Sequence, residues 1–274
     1  MMADNVIGSA KAESAKTKTN VSPMAGFSFE KFDFTSMDGS LEAMLRAGVH
    51  FGHLKSRLHP RMADFVFLTR QNINIIDLEK TKEYLDRAGE FLTSVAKSGK
   101  PIIFVGMKKH THLLVRSLAE RLGEHYVVDR WLGGTLTNYS CINGRTRYLR
   151  DTEDKLEKGE FQMYTKFERQ RKMEEVERLE KRMGGIKNMR EMPGAIVIAD
   201  GKEAKIVIRE AHATGVPVVA IIDTNADPSS VEYPIPGNDD ALSSLRYLLG
   251  SIGRSVSAAK VGSTAAPTAT PKQK

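Results

Sequence analysis

The sequence predicts an α/β protein: a mostly parallel five-stranded sheet with helices on both faces, interrupted by a long charged helical region. Three observations carry this. Short continuous apolar runs such as Pro101-Ile102-Ile103-Phe104-Val105-Gly106 are bounded by turn residues, as a strand buried on both faces requires. Segments with helical spacing alternate with these runs, which leads to a parallel sheet with right-handed crossovers. Between the second and third of the sheet strands lies a charged stretch whose apolar residues recur at sevens.

Residues 1–39 read as a flexible extension rich in Ala, Ser, Thr and Lys. Its one apolar portion, Phe27-Ser28-Phe29-Glu30-Lys31-Phe32-Asp33-Phe34, alternates aromatic and polar positions. Ser40 is placed to cap a helix over 41–47 that Gly48 stops. Residues 48–62 combine glycines, histidines and basic residues without periodicity. Strands at 65–69 and 73–76 are expected to form a small antiparallel ribbon. Asp77 caps a helix over 78–96 that buries Leu78, Leu85, Leu92 and Val95. Sheet strands are expected at 101–106, 126–128, 195–199, 217–222 and 232–235, with helices at 109–122, 203–213 and 239–252. Five such strands suit a flavodoxin-like or a Rossmann-like sheet.

The segment Asp129-Arg130-Trp131-Leu132-Gly133-Gly134-Thr135-Leu136-Thr137-Asn138-Tyr139 holds the only tryptophan and a Gly-Gly pair, with Thr135 as an expected N-cap. Beyond it, Ile142, Leu149 and Leu156 lie seven apart. So do Val176 and Met183, and Leu179 and Ile186, with a break at Lys158-Gly159-Glu160. This spacing predicts an antiparallel coiled-coil helical hairpin over 136–186, inserted into a sheet domain of residues 40–135 and 187–256. Residues 257–274 are expected to be a disordered tail.

A formal charge of +7 favours an anionic partner. The lone Cys141 excludes a disulfide within the chain and suits a reducing compartment, and no run is long enough to span a membrane. The first residues lack a signal-peptide core. Asp200 and Asp223, at strand ends, offer carboxylates that would hold Mg²⁺ beside a phosphate, the alternative being a phosphate- or nucleotide-handling enzyme. Against an enzyme, the chain has no GxGxxG loop, P-loop or GxSxG elbow. No cofactor and no metal are expected.

His50, His53 and His59 would suit RNA stacking or scaffold packing better than a metal, because no cysteine accompanies them. Basic residues cluster around them at Lys55, Arg57 and Arg61, at the strand exit Lys108-Lys109, and at Arg145, Arg147 and Arg150. Arginine forks bridge phosphates and stack on bases, so these residues are the expected RNA contacts.

Several motifs resemble the bacterial-type second protein of the small ribosomal subunit. They are Ala47-Gly48-Val49-His50-Phe51-Gly52-His53, Ile75-Ile76-Asp77-Leu78, and Arg130-Trp131-Leu132-Gly133-Gly134-Thr135-Leu136-Thr137-Asn138. Gly184-Gly185-Ile186, Asp223-Thr224-Asn225 and Pro234-Ile235-Pro236-Gly237-Asn238-Asp239-Asp240 follow in order. The resemblance covers about residues 41 to 256. It implies a flavodoxin-like domain with an inserted coiled-coil hairpin and a non-catalytic role in the ribosome. Small-subunit rRNA and neighbouring ribosomal proteins are the implied partners, including the large modular messenger-binding protein. It further implies a cytoplasmic location, with an organellar ribosome as the alternative. Arg130, Trp131, Gly133, Gly134, Thr135, Asn138, Asp223, Asn225, Asp239 and Asp240 become structural or interfacial residues. The chain departs from the common pattern at Leu58-His59-Pro60, where Trp-Asn-Pro is usual.

Overall fold

A computed structural model describes residues 39–264; the expected extension before Gly39 and the final part of the expected tail lie outside the described residues. The first elements are α1 (Leu41–Ala47), β1 (Phe51–Leu54), β2 (Val66–Arg70), β3 (Ile73–Ile76) and α2 (Leu78–Lys97). They are followed by β4 (Ile102–Val105), α3 (His112–Leu122), β5 (His125–Val127), α4 (Tyr139–Glu157) and α5 (Lys166–Met183). The last are β6 (Ala195–Ile198), α6 (Lys205–Thr214), β7 (Val218–Ile222), β8 (Tyr233–Pro236) and α7 (Leu242–Thr264).

Strands β4 to β8 form one parallel sheet in the order β5-β4-β6-β7-β8, the doubly wound flavodoxin-like order. Pleat alternation divides its side chains between two cores. Ile102, Phe104, Val197, Val219 and Ile221 face α2, α3 and α7, where Leu85, Leu92, Leu118, Leu248 and Ile252 are buried. Ile103, Val105, Ile196, Ile198 and Ala220 face the other way, onto Val207, Ile208 and Ala211 of α6 and onto Trp131, Leu136, Ile142, Met183 and Ile186. Since both faces are covered, β4, β6 and β7 are buried at every position, and that is why their sequences are continuously apolar.

The fold expectation is corrected in its accessory unit. What is added to the parallel sheet is a three-stranded antiparallel sheet, β1-β3-β2, and not a helical coiled coil. Helices α4 and α5 occupy the charged middle and touch each other, with Leu149 of α4 fully buried, but the sevenfold positions do not all line that contact. Ile142 and Met183 are buried in the core beneath the parallel sheet, and Val176 is only half-buried. Phe167 and Met173 of α5 are exposed. An apolar stripe at this spacing serves any surface a helix rests on, so periodicity alone does not name the partner. The first residues of the expected tail are helical: α7 runs to Thr264, with Ala259 buried.

The ribbon β2–β3 turns at Gln71 and Asn72, both at positive φ (49° and 62°), the pairing that matches strand twist in a two-residue hairpin. Strand β1, absent from the sequence expectation, pairs with β3 from Phe51↔Ile75 to Leu54↔Ile73. Its sequence, Phe-Gly-His-Leu, has neither alternation nor β-branched residues; it is extended because tertiary contacts hold it. His53 N donates to Thr224 Oγ1 (2.8 Å), and Asn74 Nδ2 donates to His53 O (3.1 Å). At Gly52 a Cβ would stand 2.6 Å from Thr224 Cγ2 and 3.0 Å from Asn74 O, so only glycine allows this approach. Gly52→Ala is therefore expected to cost about 1–3 kcal/mol in urea denaturation; an unchanged midpoint would show that β1 does not depend on this contact.

Candidate nucleic-acid interface

The Trp-Gly-Gly segment is organised by a residue far along the chain. Glu210, on α6, is 8% exposed. Its Oε1 accepts from Gly134 N (2.7 Å) and from Trp131 Nε1 (3.3 Å), and its Oε2 accepts from Leu136 N (3.0 Å). Trp131 is buried as the core plug of this loop, and Gly134 takes a φ of 90° that favours glycine. Thr135 is not the N-cap: its hydroxyl donates to Leu132 O (2.6 Å), and α4 begins after Asn138. Sequence reasoning missed Glu210. The available signal was a carboxylate among Val207, Ile208 and Ala211 on the apolar face of a helix, where a charge requires a buried partner.

The carboxyl ends of β4 and β6 form the topological switch point, where ligands collect in open α/β sheets. Here the chain fills that crevice itself. Asp200, fully buried after β6, accepts from Met107 N and Lys108 N, both at 3.2 Å. Lys108 Nζ lies 2.9 Å from Asp239 Oδ1 and 2.8 Å from Asp240 Oδ1. His53 bridges Asp223 (Nδ1–Oδ2, 3.0 Å) and Asp240 (Nε2–Oδ2, 3.3 Å). Asn238 ties this edge to the N-terminal loop: its Nδ2 donates to Gly48 O (3.2 Å) and its Oδ1 accepts from Asp240 N (2.9 Å).

The charge states follow from these contacts. Burial pushes the Asp200 carboxyl up to about 6. Burial, together with the charge of Asp223, raises Asp239. The hydrogen bond to Asp223 raises His53, and the bond from Lys108 lowers Asp240. Burial alone would lower Lys108, but its bonds to Asp240 and Asp239 raise it. Four carboxylates converge on one lysine and one histidine, an edge that repels a phosphate rather than cradling it.

The expected RNA contacts divide accordingly. His53 and Lys108 belong to the acidic edge. His50 is half-buried with its ring 4.0 Å from that of Phe51, and burial lowers its pKa. His59 caps a 3-10 turn, its Nδ1 accepting from Arg61 N (3.3 Å). Arg61 pairs with Asp227 (2.8 Å) and also donates to Ser229 Oγ. Lys55, Arg57, Lys109, Arg145 and Arg147 are exposed, Arg150 is half-exposed, and none of these six forms a salt bridge among the described residues. Arg147 and Arg150 are one turn apart on α4, whereas Arg145 stands roughly 200° around the helix from Arg147. Of the remaining motif residues, Arg130 is exposed, Gly133 has open space at its Cβ position, and Asn225 lies beside the β7 exit loop.

The fold and this edge define a doubly wound α/β protein whose switch point is occupied by its own side chains and whose surrounding surface carries cations without salt bridges among the described residues. The family described as ribosomal protein S2 matches residues 44–259. A small ribosomal subunit protein uS2 from Roseiflexus sp. (strain RS-1) is 43% identical over 213 residues, which are 78% of this chain and 81% of that protein. The chain belongs to the ribosomal protein S2 family. It is accordingly a structural, non-catalytic protein of the small ribosomal subunit that supports its assembly among rRNA and other ribosomal proteins. The bacterial-type match favours the cytoplasmic ribosome over the organellar alternative.

Glu210→Ala leaves three donors, two of them backbone N–H groups, without their acceptor. The expected loss is about 3 kcal/mol or more in urea denaturation, with altered Trp131 fluorescence; a loss below about 1 kcal/mol would remove Glu210 from its central place.

The folded value of Asp200, about 6, lies above its unfolded value of 3.8. Its contribution is therefore complete below pH 4 and is lost as pH rises through 6. Raised His53 acts in the same direction, losing its contribution as pH rises through its folded value. Asp200→Asn keeps an acceptor for Met107 N and Lys108 N without ionising. Relative to this variant, the unsubstituted protein should lose up to about 3 kcal/mol between pH 4 and 7.5, at about 1.36 kcal/mol for each pH unit. Urea curves with a constant separation across that range would refute the account.

Proposed function

We propose that the chain engages small-subunit rRNA through the cations its fold leaves unpaired: Lys55, Arg57, Lys109, Arg145, Arg147 and Arg150. The observation that carries this reading is the division of the basic residues. Lys108 and His53 are held by carboxylates of the sheet edge, whereas these six reach solvent without an acidic partner among the described residues. An unpaired guanidinium meets a phosphate without first breaking an ion pair, and its planar fork also stacks on bases. Arg61 is exposed but shares its charge with Asp227, and His50 and His59 are occupied in local packing, so these three rank behind the six. The arginines of α4 point to different sides of the helix, which suits an irregular RNA surface better than a groove.

The same reading assigns messenger recruitment to contact with the large modular messenger-binding protein of the subunit. The face that suits a protein neighbour is the small antiparallel sheet, where Phe51, Leu54, Phe67 and Leu68 are exposed, Phe67 at 70%. Clustered exposed aromatic and aliphatic groups of this kind are the chemistry of protein interfaces. Phe67→Asp is expected to reduce retention of that protein on purified small subunits while leaving rRNA binding by the chain unchanged.

The RNA reading is tested by salt titration of rRNA binding. Lys55→Gln with Arg57→Gln should lower the slope of log K against log salt by about 0.7–0.9 for each phosphate that is no longer neutralised, with unchanged thermal stability. Lys108→Gln should instead destabilise the fold, by about 3 kcal/mol, because it leaves the buried carboxylate of Asp239 without its cation. If Lys55 and Arg57 proved silent in binding, and crosslinks from residues 48–62 and 136–150 in assembled subunits ran only to protein, direct RNA recognition by these segments would be refuted.

A further inference from the structure

A second basic region, centred on α6, shares His59, Asn225 and Asp227 with the residues considered so far. Between the β6 exit, the start of α6 and the β7 exit loop is a cleft of about 430 Å³, lined by Gly201, Lys202, Lys205, Arg209, His212, Asn225, Ala226 and Asp227, with His59 at its side. Lys205 and Arg209 are one helical turn apart, so they stand on the same side of α6, and Lys202 precedes them in the turn that leads into the helix. All three are exposed and form no salt bridge among the described residues.

The helix adds to this field. The N-cap residue of α6, Ala204, makes no side-chain cap hydrogen bond, so no capping side chain offsets the positive end of the helix dipole. Asp227, the acidic residue on the opposite wall, is already neutralised by Arg61 and accepts from Ser229 N (3.0 Å). Asn225 provides an independent observation. It lines the cleft with its amide oxygen buried and without a hydrogen-bond partner, so turning the amide breaks no internal bond and lets it meet a polar group in the cleft. Ile208 and Ala226 give the walls an apolar part, and the imidazoles of His59 and His212 supply flat faces. The volume suits one nucleotide.

We propose that this cleft seats a single unpaired nucleotide of an RNA chain. Its phosphate lies against Lys202, Lys205, Arg209 and the start of α6, and its base or ribose meets Asn225 and the His59 side. This inference rests on the RNA-binding reading above and adds a site to it. Compared with the acidic switch point one strand away, the cleft presents the opposite charge, so the sheet edge sorts an anion toward α6.

The test uses the full-length chain, a small-subunit rRNA transcript carrying 4-thiouridine, and AMP and inorganic phosphate as free probes. The triple variant Lys202→Gln, Lys205→Gln, Arg209→Gln changes exposed side chains only and is first checked for an unaltered urea midpoint. Expected results are a roughly tenfold or greater loss of rRNA affinity, a salt slope lower by about 0.7 for the one single-strand phosphate no longer neutralised, and loss of a photocrosslink to peptides covering 201–209 or 225–230. Asn225→Ala should weaken the crosslink without changing the salt slope. Wild-type affinity and slope in the triple variant, with Lys55 and Arg57 variants still weakened, would overturn the cleft and leave the RNA reading intact. Loss of AMP or phosphate binding in the triple variant with rRNA binding unchanged would overturn it in favour of a free nucleotide or anion. If neither set of variants affected rRNA binding, the site and the broader reading would fail together.

Discussion

The carboxylate of Glu210 is the constraint on which much of the second core depends. One side chain on α6 accepts from the indole of Trp131 and from the backbone of Gly134 and Leu136. It thereby fixes the loop that leaves β5, seats the tryptophan under the sheet, and sets where α4 departs. Ile142 of α4 and Met183 at the end of α5 then close over the same core. Charged acceptors buried with several backbone donors form the stronger class of hydrogen bonds, and removing the acceptor leaves every donor without a partner at once.

A similar economy of charge governs the sheet edge. In an enzyme of this architecture the switch point remains open for a ligand. In this chain Asp200, Asp223, Asp239 and Asp240 converge there and are held by Lys108, His53 and backbone donors. The crevice becomes an internal clamp that ties the N-terminal segment, through His53 and Asn238, to the ends of β7 and β8. The fold has given up its usual ligand position and gained a rigid platform, and its basic side chains are displaced to the surrounding loops and helices. That arrangement fits a protein whose work is to hold a shape against RNA and neighbouring proteins.

How much of this was legible beforehand varies with the range of the interaction. The buried strands β4, β6 and β7 could be read from continuous apolar runs, and the caps at Ser40 and Asp77 from local chemistry. Strand β1 could not, because Phe51 to Leu54 is extended only through Thr224 and Asn74, which are distant in sequence. The seven-residue spacing of the middle was visible, but the surface covered by Ile142 and Met183 was not. Lys108 and Lys55 look alike in sequence; one is clamped by two aspartates and the other forms no salt bridge among the described residues.

The sequence by itself determined the continuous apolar runs of the buried strands, the caps at Ser40 and Asp77, the surplus of positive charge, and the motifs that mark the family. These are local properties, set by side-chain alternation, capping chemistry and composition. Only the tertiary structure decided which cations are neutralised, which carboxylate organises the tryptophan loop, and that a third strand, β1, joins the expected antiparallel ribbon. Each of those outcomes depends on groups far apart in the chain coming within about 3 Å, and at that range hydrogen bonding and desolvation, rather than residue type, set what a side chain does.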